Sequence, residues 1–129
     1  MSPLISVVDD DDESREAVAL LVRSLHFAVE TFASAADFLA WPGLRQTSCL
    51  IADVNMPGMT GVELHGRLVT LGHAIPTILI TAYPDDAVRA RAIAGGALAY
   101  LSKPCSDYLL LDLVRSALNA PTARRDDSC

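Results

Sequence analysis

Residues 49–61 read CLIADVNMPGMTG, an apolar run that ends at the acidic residue Asp53 and continues into a turn. A short apolar run bounded by turn signals is typical of a parallel strand that is covered on both faces. Pro57 and Gly58 supply the turn signal after the run. Ligands of open α/β sheets bind at the carboxyl ends of the strands. The stretch therefore predicts a buried strand that presents Asp53 at the functional edge of a sheet.

Three other apolar runs also end in polar residues. These runs are residues 4–8 followed by Asp9 and Asp10, residues 76–80 followed by Thr81, and residues 97–102 followed by Lys103 and Pro104. Paired carboxylates hold divalent cations, a hydroxyl donates to phosphoryl oxygens, and a lysine neutralises them. Four such strand ends in one sheet predict a single site that handles a cation and a phosphoryl group.

The apolar runs alternate with segments that have helical spacing. A further strand is predicted at residues 28–32, and Ser34 is predicted to cap a helix over Ala35–Trp41. The other helices are indicated by Ala17, Val18, Leu21, Val22 and Leu25; by Val62, Leu64, Leu68 and Leu71; by residues 85–94 before Gly95 and Gly96; and by Leu109, Leu110, Leu113, Val114 and Leu118 before Pro121. Strands that alternate with helices predict an α/β fold with a parallel sheet.

Composition excludes several classes of protein. The chain has 129 residues, which suits one domain, and 51% of them are hydrophobic although only 5% are aromatic. A net charge of −6 argues against nonspecific binding to nucleic acid or to an anionic membrane. No apolar run approaches the roughly 18 residues that span a bilayer. The chain enters a strand almost at once, which leaves no room for a signal peptide, so a cytoplasmic location is expected.

The cysteines and histidines carry no metal-site signal. Three cysteines are too few for a disulfide framework, and none has zinc-ligand spacing. Cys49 is predicted to be a small core residue. His26, His65 and His73 lie in separate contexts and are predicted to be surface residues.

Taken together, these motifs resemble the receiver domain of bacterial two-component response regulators. The matching residues are Asp9-Asp10, Asp53 with Met56, Pro57, Met59 and Gly61, Thr81-Ala82, Tyr100, and Lys103-Pro104. Phe32, Ser34-Ala35 and Phe38-Leu39 are further similar to receivers of the nitrogen-fixation regulator type. The resemblance covers residues 1–120 as a receiver domain and leaves 121–129 as a polar tail. It implies a flavodoxin-like (βα)5 three-layer sandwich with strand order 2-1-3-4-5.

The resemblance also assigns roles around the cation. Asp53 becomes the phosphoacceptor, since a carboxylate can take a phosphoryl group as an aspartyl phosphate. Mg²⁺ is expected on Asp10 and Asp53 directly, on Asp9 through water, and on the backbone carbonyl of Asn55. Lys103 is expected to pair with Asp53 at rest and with the phosphoryl oxygens afterwards. A cis peptide bond between Lys103 and Pro104 is also suggested.

A switch is implied as well. Thr81 is expected to move toward the phosphoryl group and free space for Tyr100 to turn inward, which would couple the site to the face of helix four, strand five and helix five. Asn55 and Tyr83 occupy positions that tune phosphoryl lifetime in the family, and the bulky Tyr83 could cover the site. Cys105 departs from the family, which frequently carries Phe there, and this puts the packing beneath that loop in question.

The leading hypothesis is a stand-alone phosphoacceptor module, because no output domain follows helix five. It would receive phosphate from a sensor histidine kinase or a His-phosphotransfer protein and act on an unidentified protein target. It would also form a homodimer through the face of helix four, strand five and helix five. Its own chemistry would be limited to Mg²⁺-dependent self-phosphorylation and autodephosphorylation. A haloacid-dehalogenase-type phosphatase is an alternative, but that class needs a second Asp where Asn55 stands. The third reading is the receiver fragment of a DNA-binding regulator, although this acidic chain has no helix-turn-helix.

Overall fold

Five parallel strands form the centre of the molecule in the order β2-β1-β3-β4-β5. The computed structural model describes residues 3–119. The strands are β1 (Leu4–Val8), β2 (Ala28–Phe32), β3 (Thr47–Asp53), β4 (Thr77–Thr81) and β5 (Ala99–Ser102). The helices are α1 (Asp12–Arg23), α2 (Ala35–Ala40), α3 (Gly61–Thr70), α4 (Asp86–Ala94) and α5 (Asp107–Asn119), with a 3-10 turn at Leu44–Gln46. This confirms the predicted (βα)5 fold and its strand order. The predicted helix stop at Pro121 and the tail 121–129 lie outside the described residues.

The helices cover both faces of the sheet and create two apolar layers. On one face, Phe38 of α2 and Leu64 of α3 pack against Leu50 and Leu79 of the sheet. On the other face, α1 and α5 pack against alternate residues of the same strands, such as Ile51. Successive side chains of a strand point to opposite faces, so the continuous apolar runs supply both layers. The three-layer sandwich is therefore confirmed.

Local capping fixes where the helices next to the sheet edge begin. Ser34 caps α2, as predicted, by accepting a hydrogen bond from the Asp37 N–H at 3.0 Å. Thr60 and Glu63 form a reciprocal capping box at the start of α3. Gly61 allows α3 to approach β3 closely, because a Cβ at this position would lie 2.5 Å from the Asp53 carbonyl oxygen. The Pro/Gly turn and Gly61 together hold α3 directly against the end of β3.

Several predicted boundaries and faces were wrong. β3 begins at Thr47, earlier than predicted, because its hydroxyl is hydrogen-bonded to that of Ser6 at 2.8 Å and is satisfied in the core. Leu25 lies beyond α1, and Ala17 is exposed while Ala19 occupies the buried face. Ala97 precedes β5 because its N–H still bonds to the last turn of α4. Leu71 and Leu109, predicted on apolar helix faces, are exposed.

The prediction that all three histidines lie at the surface was also wrong, because His65 is only 6% exposed. The buried residues of α3 include Gly61, Leu64, His65 and Leu68, which follow the spacing of one helix face. This spacing places the imidazole against the core, and burial lowers the pKa of His65. His26 is exposed and His73 is half-buried.

Candidate functional site

The carboxyl ends of three strands bring four charged side chains together. Asp53 is the last residue of β3, Asp9 and Asp10 directly follow β1, and Lys103 directly follows β5. One carboxylate oxygen from each of the three aspartates lies within 4.8 Å of the others. The Lys103 Nζ lies 3.1 Å from the Asp53 Oδ1 and 3.3 Å from the Asp9 Oδ2. The arrangement that the sequence predicted is therefore present.

Asp53 is buried at this edge. The residue is 7% exposed, and burial raises the pKa of its carboxyl group. The hydrogen bond from Lys103 opposes that rise, while the negative charges of Asp9 and Asp10 add to it. Because the effects that raise the pKa prevail, a cation placed among these carboxylates would favour the ionised form of Asp53.

Lys103 uses its ammonium group to join the strand ends to α1. In addition to its two carboxylate partners, the Nζ donates to the Ser14 Oγ at 3.0 Å. Burial lowers the pKa of Lys103, but the hydrogen bond to Asp53 and the nearby negative charges outweigh it and raise the pKa overall. The Lys103-Pro104 peptide bond is cis. The sequence analysis assigned no role to Ser14, because its sequence neighbours indicate only the acidic start of a helix.

The loop between β1 and α1 is fixed by its own hydrogen bonds. The Asp11 N–H donates to the Asp9 Oδ1 at 2.9 Å, and the Arg15 Nη1 donates to the Asp9 carbonyl oxygen at 2.7 Å. Asp11 also caps α1 by accepting from the Ser14 N–H. Asp9 is thereby oriented toward Lys103, while Asp10 remains exposed. The acidic residues after Asp10 belong to the helix start, as expected from the helix dipole.

The donor set of this edge fits a hard divalent cation. Asp9, Asp10 and Asp53 offer only oxygen ligands, and Mg²⁺ prefers oxygen while keeping several waters. Three carboxylates against a single ammonium leave the cluster with excess negative charge. A cation would relieve the repulsion among them.

Thr81 and its neighbours form a second part of the site. Thr81 is buried at the end of β4, and its hydroxyl donates to the Asn55 side-chain oxygen while it accepts from the Tyr83 N–H at 2.9 Å. The Lys103 N–H donates to the Thr81 carbonyl oxygen at 2.7 Å. The Tyr83 ring is 74% exposed. Thr81 is therefore connected to both positions that were predicted to tune phosphoryl lifetime.

Tyr100 lies on β5, which pairs with the strand that ends at Thr81, and it is only 3% exposed. Its phenolic oxygen accepts from the Asp85 N–H at 3.2 Å, and the Arg89 guanidinium lies 5.2 Å from the ring centre. The ring already occupies an inward position that contacts the start of α4. Tyr100 therefore links the edge of the sheet to α4 in the structure described.

No helix within residues 3–119 combines the length and the apolar character needed to cross a bilayer.

Comparison with known proteins places this geometry in a family. The sequence profile described as the response regulator receiver domain matches residues 5–115. The response regulator protein TmoT of Ectopseudomonas mendocina is 37% identical over 125 residues, which cover 97% of this chain and 57% of TmoT. The transcriptional regulatory protein FixJ of Azorhizobium caulinodans is 35% identical over 126 residues, which cover 96% of this chain and 60% of FixJ. The chain thus spans little more than half the length of these relatives.

Solved structures agree with the sequence comparison. A crystal structure titled FixJ-N is 33% identical and superimposes with a TM-score of 0.82, covering 92% of this chain and 94% of that one. A response regulator receiver protein from Burkholderia phymatum is 43% identical with a TM-score of 0.76, covering 90% of this chain and 94% of that one. The resemblance inferred from the strand-end motifs is confirmed, and the chain belongs to the response regulator receiver domain family of two-component systems.

Proposed function

We propose that this receiver accepts a phosphoryl group on Asp53 from a sensor histidine kinase or a His-phosphotransfer protein. The observation that carries the proposal is the convergence of Asp53, Lys103 and the Asp9-Asp10 pair at one sheet edge. Membership of the family supports it, since response regulators receive phosphate from sensor kinases and their receivers are signalling domains, not classical enzymes. The dehalogenase-type phosphatase hypothesis has no such support.

The chemistry follows from the positions of the side chains. An Asp53 carboxylate oxygen attacks the phosphorus in line with the leaving group, so a P–O bond to Asp53 forms as the donor's bond to phosphorus breaks. The Lys103 ammonium stabilises the charge on the phosphoryl oxygens. Mg²⁺, when bound, supplies further charge neutralisation there; Asp10 and Asp53 would hold it directly, Asp9 through water, and Asn55 through its backbone carbonyl. The Thr81 hydroxyl then donates a hydrogen bond to a phosphoryl oxygen and loses its hydrogen bond to the Asn55 side chain.

The output surface is the switch face, formed by α4, β5 and α5. Release of Thr81 from Asn55 would shift the end of β4, which is paired with β5 and Tyr100, and Tyr100 contacts the start of α4. Apolar side chains are exposed on this face, namely Ile93, Leu98, Tyr108 and Leu109. This favours a protein partner or a second copy of the chain as the occupant of the face. Direct binding of nucleic acid or membrane forms no part of the proposal.

Labelling with a small phosphodonor tests the proposed function. Incubation with acetyl phosphate and Mg²⁺ is expected to add one phosphoryl group per chain, as measured by the mass of the intact protein. Removal of Mg²⁺ with a chelator is expected to suppress the labelling, because Lys103 alone leaves the carboxylate cluster negative. Absence of labelling with Mg²⁺ would reject the proposal.

Tyr83 is predicted to slow the loss of the phosphoryl group. Its N–H donates to the Thr81 hydroxyl, so its backbone lies beside the site, and a ring that turns over Asp53 would obstruct the water that must approach in line. We expect Tyr83→Ala to lose the phosphoryl group several-fold faster, on the order of 1 kcal/mol in barrier.

The half-lives of the phosphorylated proteins in excess Mg²⁺ test this shielding. Tyr108→Ala is the matched control, since Tyr108 is also a largely exposed tyrosine and lies on α5. An unchanged or longer half-life in Tyr83→Ala rejects shielding and leaves its largely exposed ring without a role at the site.

We propose further that residues 1–120 act as a stand-alone, cytoplasmic receiver. The second candidate is that the chain is the receiver part of a DNA-binding regulator. The length of relatives such as the transcriptional regulatory protein FixJ favours this candidate. Immunodetection in lysate of the source cells separates the two: a protein of 13.8 kDa supports the stand-alone receiver, and a markedly longer one supports the second candidate.

A further inference from the structure

A cavity of about 390 Å³ lies between α1, α5 and the sheet, beside the phosphoacceptor site. Its inner wall is apolar and includes Val18 and Leu21 from α1, Ile51 and Ile80 from the sheet, and Leu110 from α5. Its volume falls within the roughly 300–1,000 Å³ of small-molecule sites, which are concave, mostly apolar and carry a few convergent polar groups. Four of its polar residues, Asp9, Ser14, Asp53 and Lys103, are grouped around the Lys103 ammonium at the strand ends and form its polar end.

The small side chain of Cys105 accounts for part of the volume of this cavity. Cys105 lines the cavity and packs on the α1 and α5 side of the sheet, where its side chain is small. A Cys side chain leaves unfilled the volume that an aromatic ring would take. A void lined by apolar groups forfeits dispersion contacts, which an apolar ligand would restore.

The polar end of the cavity defines which molecules fit. Asp9 and Asp53 contribute two carboxylates to it and Lys103 contributes the ammonium, while Asp107 adds a third acidic residue to the lining of the cavity. The Lys103 ammonium already donates to Asp9, Asp53 and Ser14, so the Ser14 hydroxyl is the one donor left among these groups. Hydrogen-bond acceptors therefore exceed free donors, and an anionic head group would meet net like charge.

We propose that this cavity binds a compact hydrophobic molecule whose polar end donates hydrogen bonds and carries no negative charge. The ring or branched alkyl group of the ligand packs against the apolar wall of the cavity near Cys105. The amine or hydroxyl donates to the carboxylates of the strand ends. The proposal does not depend on phosphoryl transfer, although the cavity and the phosphoacceptor site share Asp9, Asp53 and Lys103 at their common edge.

Three probes with the same ring and different heads test the proposal. Benzylamine, benzyl alcohol and benzoate are titrated into the full chain without phosphodonor or Mg²⁺, and methyl resonances are followed by NMR. We expect saturable shifts for methyls of Val18, Leu21, Ile51 and Leu110 with the amine and the alcohol. Benzoate is expected to bind at least about ten-fold more weakly. Equal binding of benzoate, or no saturable shift with the amine and the alcohol, overturns the proposal.

Filling the cavity provides the matched test. Cys105→Phe is expected to weaken benzylamine binding at least about ten-fold, while Val69→Phe, which adds a ring at an exposed position of α3 outside the cavity lining, leaves it unchanged. Ala17→Phe closes the cavity from the exposed side of α1 and serves as a second variant if Cys105→Phe does not fold. Unchanged binding in a folded cavity-filling variant overturns the assignment.

Discussion

Asp53→Asn is expected to take up no phosphoryl group from acetyl phosphate and Mg²⁺ under conditions in which the wild-type protein takes up one. An amide has nearly the shape of a carboxylate and can still accept a hydrogen bond from Lys103, but it lacks the anionic oxygen that attacks phosphorus. The variant therefore removes the nucleophile and leaves its surroundings in place. The mass of each intact protein after labelling measures the effect.

Asp112→Asn is the control for this prediction, because Asp112 is an exposed acid on α5 away from the cluster. It is expected to be labelled like the wild type. Equal labelling of Asp53→Asn and the wild type would show that the phosphoacceptor is another residue.

The same variant is expected to be more stable than the wild type at neutral pH when Mg²⁺ is absent. Burial raises the pKa of Asp53 in the folded chain even though Lys103 is paired with it. The folded state therefore binds the Asp53 proton more tightly than the unfolded state, and stability falls as pH rises from the unfolded pKa to above the folded pKa. The neutral amide of Asp53→Asn has no charge to bury, so the variant does not lose this stability as the pH rises.

Thermal unfolding between pH 4 and pH 8 measures the difference. The gap between Asp53→Asn and the wild type is expected to widen as pH rises through the acidic range and then to level off. A gain of 1 kcal/mol corresponds to roughly 4 °C in melting temperature for a domain of this size. A less stable variant at neutral pH would mean that pairing with Lys103 outweighs desolvation.

The strand ends could be predicted because their signal is local. Each apolar run is continuous in the sequence and stops at a polar residue, and parallel strands necessarily place those residues at one edge. Asp53 and Lys103 could thus be brought together without knowledge of any contact. The capping of α2 by Ser34 likewise depends on residues near in sequence.

The features that were missed depend on distant packing. Ser14 bonds to Lys103 across 89 residues of sequence, and nothing near Ser14 marks that contact. The inward position of Tyr100 depends on where α4 begins relative to β5. His65 is different, since its helical spacing with Leu64 and Leu68 was visible and was overruled by the general preference of histidine for the surface.

Mg²⁺ at millimolar concentration is expected to stabilise the wild-type fold, and Asp10→Asn is expected to lose most of that gain. Three carboxylates lie within 4.8 Å of one another, so a cation that binds only the folded cluster lowers its free energy. At ten times its dissociation constant the cation would add about 1.4 kcal/mol. The melting temperature with and without Mg²⁺ measures the gain.

Asp10 is the informative position because its substitution leaves the pairing of the site intact. Asp9 and Asp53 both contact Lys103, whereas Asp10 is exposed and contributes its oxygen to the carboxylate cluster. Asp10→Asn therefore removes one charge from the cation site and leaves both carboxylate partners of Lys103 in place. Asp112→Asn again controls for the loss of one surface charge. If the melting temperature of the wild type does not respond to Mg²⁺, Lys103 already neutralises the cluster or the cluster is not a cation site. Asp9 would then serve to hold Lys103 toward Asp53 and would have no part in binding metal.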